Sequence, residues 1–156
     1  MNMSRRAACA GFAAAATLIG AEAAAQEAHA ITPAAFAAWL DRYKQAWEQR
    51  DAALAGALFT EDATYHEKPF DAPMQGRAAI EAYWTRVTAG QSDIHFTYEV
   101  IACAGDQGVA HWHAVFQVEG GTRIELDGVF VCAFANAETV RHLREWWDVR
   151  ATAPEQ

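Results

Sequence analysis

Residues 94–100 read IHFTYEV and residues 109–118 read VAHWHAVFQV, and these two stretches decide the fold. In each of them an apolar side chain occupies every second position, which is the pattern of a β-strand with one buried face. The same alternation returns in two later stretches, at residues 123–134 and 139–149. Because short, turn-rich connections separate the four stretches, we predict an antiparallel meander of four strands.

The chain before residue 90 has the three- to four-residue apolar spacing of amphipathic helices. A capping hydroxyl and a proline begin the first helix at Thr32-Pro33. The three predicted helices carry, in order, the apolar sets Phe36, Trp39, Tyr43, Trp47; Leu54, Leu58, Phe59; and Ile80, Tyr83, Trp84, Val87. We therefore predict an α+β fold in which three N-terminal helices pack in a strongly curved antiparallel sheet. This cone-shaped barrel would leave a pocket at its open end.

The first thirty residues have the composition of an export signal. Arg5-Arg6 precedes an alanine-rich apolar run over residues 7–21, and small-residue cleavage sites follow it. We predict a signal peptide over residues 1–25, with cleavage as late as residue 30, and a periplasmic or secreted protein. The alternative is a disordered alanine-rich tail. The predicted domain occupies residues 32–150, and residues 151–156 form a short tail.

The composition is that of one acidic domain. The chain has 156 residues, a formal net charge of −8 and no run of Lys or Arg, which argues against nucleic acid or an anionic membrane as a partner. Because no phosphate-binding loop or glycine-rich dinucleotide fingerprint occurs, we expect no cofactor. His111 and His113 have a spacing that can bind a metal, but they lie on the face opposite the apolar one, so we expect no metal. Cys103 and Cys132 are expected to be separate thiols, because a predicted strand lies between them.

Several short motifs occur in a characteristic order. Residues 59–65 read FTEDATY, Pro69-Phe70 and Gly76-Arg77 follow, and residues 144–147 read REWW. This order resembles the SnoaL-like, ketosteroid isomerase-like (nuclear transport factor two-like) superfamily over residues 32–150. The resemblance implies the cone-shaped fold. It does not select a function, because the superfamily contains isomerases, cyclases, dehydratases, epoxide hydrolases and non-catalytic binding modules.

The resemblance to bacterial ketosteroid isomerases implies two catalytic residues. In an ungapped register from residue 43 to residue 76, Tyr43 falls on the Tyr that donates a hydrogen bond to the substrate oxyanion. Glu67 falls on the Asp that moves the proton. The family's second donor, a protonated Asp, falls at Phe130 here. Asp127 lies three residues earlier, an odd offset that turns it to the other sheet face unless a bulge intervenes.

The strand alternation adds further candidates. It points Glu145 into the cavity, where two carboxylates in an apolar site should differ in pKa and suit acid and base roles. We expect the aromatic wall to raise the pKa of Glu67 as well. His66 is a candidate proton carrier, as in the dehydratase branch of the superfamily. The predicted substrate-binding residues are Trp47, Tyr65, Trp84, Trp112, Asp127, Phe130 and Trp147.

Two functions remain open from the sequence. The first is a cofactor-independent isomerase or lyase that transfers a proton on a small apolar carbonyl or polycyclic compound. The second is a non-catalytic binding or dimerisation module with the same fold. In either case the expected partners are a small apolar ligand and a second copy of the chain. The outward positions Val129, Val131 and Trp146 are apolar, which predicts a homodimer through the outer sheet face.

Overall fold

Three helices are present in the computed structural model, which describes residues 30–153. They are α1 (Pro33–Gln49), α2 (Ala52–Gly56) and α3 (Arg77–Thr88). The Thr32 hydroxyl caps α1 by accepting a hydrogen bond from the Ala35 amide at 3.1 Å, and Pro33 occupies the first helical position. The helix ends where Arg50 adopts a left-handed conformation with a φ of 56°.

Six strands form one sheet: β1 (Phe59–His66), β2 (Met74–Gln75), β3 (Ser92–Ala104), β4 (Gln107–Gln117), β5 (Arg123–Phe134) and β6 (Val140–Thr152). Their spatial order is β2-β1-β6-β5-β4-β3. Neighbouring strands run antiparallel except β1 and β6, which run parallel. The sheet curls around the helices without closing, so the predicted α+β class is confirmed.

The core lies between α1 and the inner face of the sheet. The predicted stripe on α1 is buried throughout, and Tyr43 packs against Phe96 and Phe130 with ring centroids 5.5 Å and 5.1 Å apart. Along β4 the even-numbered apolar residues are buried, as the alternation predicted, and along β5 they are buried from Phe130 onward, whereas Ile124 and Leu126 are half-buried. The helices therefore fill one end of the curled sheet with aromatic rings, and this filling sets the floor of the cavity described below.

The segment 59–66 differs from its prediction. Phe59 was expected on the second helix, but α2 ends at Gly56 and Phe59 begins β1. There it pairs with Val140, and the Val140 amide donates to the Leu58 carbonyl at 2.9 Å. The sheet consequently has six strands rather than the predicted four. Pairing with a strand some eighty residues away outweighed the local helical spacing.

The predicted signal peptide lies outside the described residues and stays a prediction. At the other end, β6 runs two residues into the segment predicted as a tail. Cys103 on β3 and Cys132 on β5 are free thiols with β4 between them. Within residues 30–153, no helix combines the length and the hydrophobicity that a bilayer crossing requires.

Candidate functional site

A cavity of about 270 Å³ opens between α1, α3 and the inner sheet face. Eight aromatic side chains form most of its wall: Tyr43, Trp47, Tyr65, Tyr83, Trp84, Trp112, Phe116 and Trp147. The other lining residues are Glu67, Val87, Gln91, Ile124, Leu126, Glu145 and Val149. Among the described residues, no Lys, Arg or His side chain lines this cavity. The cavity therefore combines an apolar wall with two carboxyl groups and no cationic side chain.

A row of three residues across the sheet shapes the cavity wall. Trp112 on β4, Gly128 on β5 and Trp147 on β6 stand side by side. A Cβ atom at position 128 would lie 2.8 Å from Trp112 Cε2 and 2.7 Å from Trp147 Cβ. Such distances are shorter than carbon atoms tolerate, so glycine is required here. The missing side chain lets both indole rings face the cavity from neighbouring strands.

Glu145 ends a chain of hydrogen bonds that starts on α1. The Tyr43 and Tyr65 hydroxyl oxygens are 3.1 Å apart, and the Tyr65 hydroxyl donates to Glu145 Oε1 at 2.9 Å. Each residue is held by a different element: α1, β1 and β6. All three side chains are buried, with Glu145 only 5 % exposed. A carboxyl group in this position has lost most of its water and keeps one strong hydrogen bond from the protein.

The two cavity carboxyl groups sit in different surroundings. Burial raises the pKa of Glu145 from the ordinary 4.5 to about 8; the hydrogen bond from Tyr65 opposes this shift, and the nearby Glu67 charge adds to it. Glu145 is therefore mainly neutral at pH 7. We expected two carboxyl groups in one cavity to suit acid and base roles. Glu145 is the deep, desolvated acid of the pair, whereas Glu67 is only half-buried.

Glu67 stands at the mouth of the cavity, directly after β1. It faces Tyr83 of α3, whose pKa is raised above its ordinary value by burial first, then by the charges of Glu145 and Glu67. Two cations stack on rings at this rim. The Lys68 ammonium lies 4.9 Å from the Trp147 ring centroid, and the Arg86 guanidinium carbon lies 5.6 Å from that of Tyr83. The mouth is thus polar, and the interior is aromatic.

Two indole N–H groups beside the cavity have no acceptor. Trp47 Nε1 donates to Gln91 Oε1 at 2.8 Å, but Trp84 Nε1 and Trp112 Nε1 are buried without a hydrogen-bond partner among the described residues. An unsatisfied buried donor costs about 1–3 kcal/mol. Since both tryptophans line the cavity, a ligand oxygen that reached either group would recover this cost.

Three predicted site residues lie away from the cavity surface. Asp127 is on the outer sheet face, where both carboxylate oxygens are 3.1 Å from His111 Nε2, and it does not line the cavity. The reason is the odd offset from Phe130, which no bulge in β5 corrects. His66 also faces outward, and its Nε2 is bonded to the Asp71 carbonyl at 2.8 Å. Phe130 is fully buried behind Tyr43 and does not line the cavity.

The other predicted site residues do line the cavity: Tyr43, Trp47, Tyr65, Glu67, Trp84, Trp112, Glu145 and Trp147. Sequence reasoning did not assign Tyr83, Gln91, Ile124 or Leu126 to the site. A signal existed for two of them, because Ile124 and Leu126 share the even-numbered inward face of β5 with Phe130. Gln91 lies in a connection and carries no periodic signal.

Metal ligands are not clustered in the described part of the chain. No group of three or more His, Cys, Asp or Glu side chains there could hold an ion. His111 and His113, the pair with metal-binding spacing, each contact an acid of β5 instead. Their Nε2 atoms bond Asp127 and Glu125. These cross-strand pairs stabilise the outer sheet surface.

Comparison with known structures shows the same architecture. A ketosteroid isomerase-fold protein from Catenulispora acidiphila, solved with trimethylamine, has 21 % identity and a TM-score of 0.61 over 69 % of this chain and 82 % of its own. The Δ5-3-ketosteroid isomerase of a Mycobacterium species has 16 % identity and a TM-score of 0.64 over 74 % and 97 %. SalBIII, an epoxide hydrolase/cyclase-like enzyme that acts in pyran ring formation in salinomycin, has 19 % identity and a TM-score of 0.62 over 70 % and 90 %.

No curated protein sequence matches the chain significantly. The profile of the SnoaL-like domain, by contrast, matches residues 40–142. This range includes part of α1, the whole of α2 and α3, and most of the sheet. Together with the curled sheet and the cavity at its open end, this match shows that the chain belongs to the SnoaL-like family.

Proposed function

We propose that the protein is a cofactor-independent isomerase or lyase that transfers a proton on a small apolar carbonyl or polycyclic compound. One observation carries this proposal: Tyr43, Glu67 and Glu145 come from three separate parts of the chain and line one cavity. A purely structural arrangement would not need two carboxyl groups facing an aromatic cavity, since buried acids destabilise a fold unless they are paired.

Glu67 is the proton-transfer group in this proposal. It is half-buried at the mouth, where a carboxylate can remove a proton from a carbon next to a carbonyl group. The enolate oxygen that forms needs hydrogen-bond donors in a dry site, and the Tyr43 hydroxyl deep in the cavity is such a donor. Glu145, mainly neutral at pH 7, supplies the acid that the arrangement requires.

The walls favour a neutral, largely apolar substrate. Eight aromatic rings surround the space, and no cationic side chain lines it to bind an anion. A volume of about 270 Å³ lies at the small end of the range for ligand pockets, so the substrate is small. Two structural neighbours are named as an isomerase and as an epoxide hydrolase/cyclase-like enzyme, and the first of these is a reaction class of this proposal.

The test is a screen of small ketones, steroids, epoxides and aromatic polyketide analogues against the wild type and Glu67→Gln. The substitution keeps the side-chain volume and removes the base, so we expect kcat/KM to fall by roughly 10²- to 10⁴-fold. Glu99→Gln is the matched control, because Glu99 is an exposed acid of β3. Turnover that survives in Glu67→Gln and is lost in Glu145→Gln would move the base to Glu145.

A non-catalytic binding module is the second candidate. It is favoured by Phe130, a fully buried ring at the position where the isomerases carry their second acidic donor. The Catenulispora protein with this fold was solved in complex with a small molecule, trimethylamine. Saturable quenching of tryptophan fluorescence by apolar ligands, with no turnover of any compound in the screen, would support this candidate over the enzyme.

A further inference from the structure

The side chains of Tyr43, Tyr65 and Glu145 form a row joined by two hydrogen bonds. This row has too few protons to make both bonds and also donate to a ligand while Glu145 is ionised. A tyrosine hydroxyl has one proton to donate, and a carboxylate has none. The two contacts in the row, 3.1 Å and 2.9 Å long, therefore use up both tyrosine protons when Glu145 is ionised. In that state Tyr65 donates to Glu145, Tyr43 donates to Tyr65, and Tyr43 offers only lone pairs to the cavity.

We propose that Glu145 and Tyr65 are positioning residues that set whether Tyr43 donates a hydrogen bond to a ligand oxygen or accepts one from it. When Glu145 carries a proton on Oε1, it can donate to Tyr65, Tyr65 can donate to Tyr43, and the Tyr43 proton is free for the ligand. No bond to carbon changes in this switch; the two hydroxyl groups rotate. The role of this switch in catalysis rests on the proposed function, whereas its effect on ligand binding does not.

The two orientations select different ligands. With a neutral Glu145, the cavity offers a donor and suits a carbonyl oxygen, which can only accept. With an ionised Glu145, the cavity offers an acceptor and suits a hydroxyl group, which can donate. A carbonyl oxygen placed at Tyr43 must then break the Tyr43–Tyr65 hydrogen bond or find no donor at that position, and either outcome lowers its affinity.

The titratable groups around Glu145 leave the protonation state of Glu145 as the variable that sets the direction of the two hydrogen bonds. Facing it are Tyr65 of β1, Tyr43 of α1, Tyr83 of α3, Cys132 of β5 and Glu67. The pKa of each of these tyrosines and of the thiol is raised by burial and by Glu145, so all four stay neutral through the physiological range. Glu67 is the only other group in this set that carries charge there.

Binding of a neutral aromatic ketone such as 1-indanone tests the proposal directly. Tryptophan fluorescence would be titrated with this ketone at pH 6 and pH 9.5. With the Glu145 pKa at about 8, roughly 3 % of the protein keeps a neutral Glu145 at pH 9.5, so we expect the affinity to fall roughly 30-fold. Equal affinity at the two pH values, or no binding at either, would overturn the proposal.

Three variants separate positioning from structure. In Glu145→Gln the amide is a permanent donor to Tyr65, so we expect ketone affinity near that of the wild type at pH 6, with no pH dependence. Tyr65→Phe removes the acceptor that holds the Tyr43 proton, so the Tyr43 hydroxyl is free to donate to the ketone at both pH values, and we expect affinity near that of the wild type at pH 6, without pH dependence. Glu67→Gln should keep the transition but move it to lower pH, because the Glu67 charge helps to raise the Glu145 pKa. A transition that persists in Glu145→Gln would refute the role of Glu145.

An infrared measurement needs neither ligand nor turnover. The wild type minus Glu145→Gln difference spectrum at pH 6 should contain the C=O stretch of a neutral carboxyl group. Tyr65→Phe should shift that band, since its hydrogen bond is lost. A missing band, or a band unchanged by Tyr65→Phe, would overturn the inference. If the substrate screen finds no turnover while the band and the pH-dependent ketone binding are present, the enzyme proposal fails and the hydrogen-bond switch stands.

Discussion

Glu145 is the residue whose environment departs furthest from water. Folding moves its carboxyl group to a site that is 5 % exposed, and its pKa rises from the ordinary 4.5 to about 8. The folded state therefore holds a proton that the unfolded chain releases between these two values. Stability linked to this proton is fully present below pH 4.5 and is lost as the pH rises through about 8.

We predict that the free energy of unfolding of the wild type falls, relative to that of Glu145→Gln, by on the order of 4 kcal/mol between pH 5 and pH 8. The glutamine has no proton to lose, so it removes this contribution and leaves the other titrating groups in both proteins. Guanidinium unfolding at several pH values would measure the difference. Parallel stability curves for the two proteins would contradict the buried, neutral state of Glu145.

The same residue shows what a sequence can locate and what it cannot. Strand alternation was enough to direct Glu145 inward, and the family register led to Tyr43 and Glu67, all of which line the cavity. The aromatic wall was expected to desolvate Glu67, but Glu145 is the buried carboxyl group and Glu67 is half-buried. Alternation gives a side chain its direction, whereas its desolvation depends on how deep the neighbouring elements bury it. Nothing in the local sequence around a residue indicates that depth.

At the scale of the element, β5 depends on its glycine. Gly128 lies between Trp112 and Trp147 in the cross-strand row, and an added Cβ would also lie 2.6 Å from the Trp146 carbonyl oxygen. Because that contact is with backbone, a rotamer change cannot relieve it. Gly128→Ala should destabilise the fold by about 1–3 kcal/mol and disturb the two indole rings of the cavity wall.

Thermal or denaturant unfolding would measure this loss, with near-ultraviolet circular dichroism to report on the tryptophans. Gly90→Ala is the control, since a Cβ there meets nothing within 4 Å and the residue lies outside the strands. We expect the control to change stability by less than about 0.5 kcal/mol. If the two variants were equally stable, the close packing across β4, β5 and β6 would be wrong.

The sequence did not reveal two strands, β1 and the two-residue β2, and β1 is the longer of them. Its neighbours along the chain are a helix and a loop, and its main partner is β6, with which it pairs in parallel from Phe59 and Val140 onward. Exposed Glu61 and Asp62 interrupt its alternation, and the register shifts within the strand. The turn residues between two strands predict a hairpin, but no such local sequence marks two parallel strands that lie far apart in the chain. The four hairpin-linked strands were therefore predictable and β1 was not.

At the scale of the whole molecule, the sheet has two unlike faces. The inner face packs on the helices and closes around the cavity. The outer face carries His–acid pairs on β4 and β5 together with three apolar residues, Val129, Val131 and Trp146. The Trp146 ring is 43 % exposed and is covered in part by the Arg144 guanidinium, 5.4 Å from its centroid. Val129 and Trp146 are cross-strand neighbours, so they form part of one apolar patch, and an exposed apolar patch rimmed by polar residues marks an interaction surface.

We predict that the protein is a homodimer that buries this outer face. Light scattering at micromolar concentration should give twice the mass of the chain, and Trp146→Ser should shift the population toward monomer because it removes the largest apolar side chain of the patch. Phe70→Ser is the matched control: Phe70 is 99 % exposed in the loop after β1, outside the strands of the sheet, and its loss should leave the mass unchanged. A wild type that stays monomeric at these concentrations, or a dimer that both substitutions leave intact, would show that the outer face is not the interface.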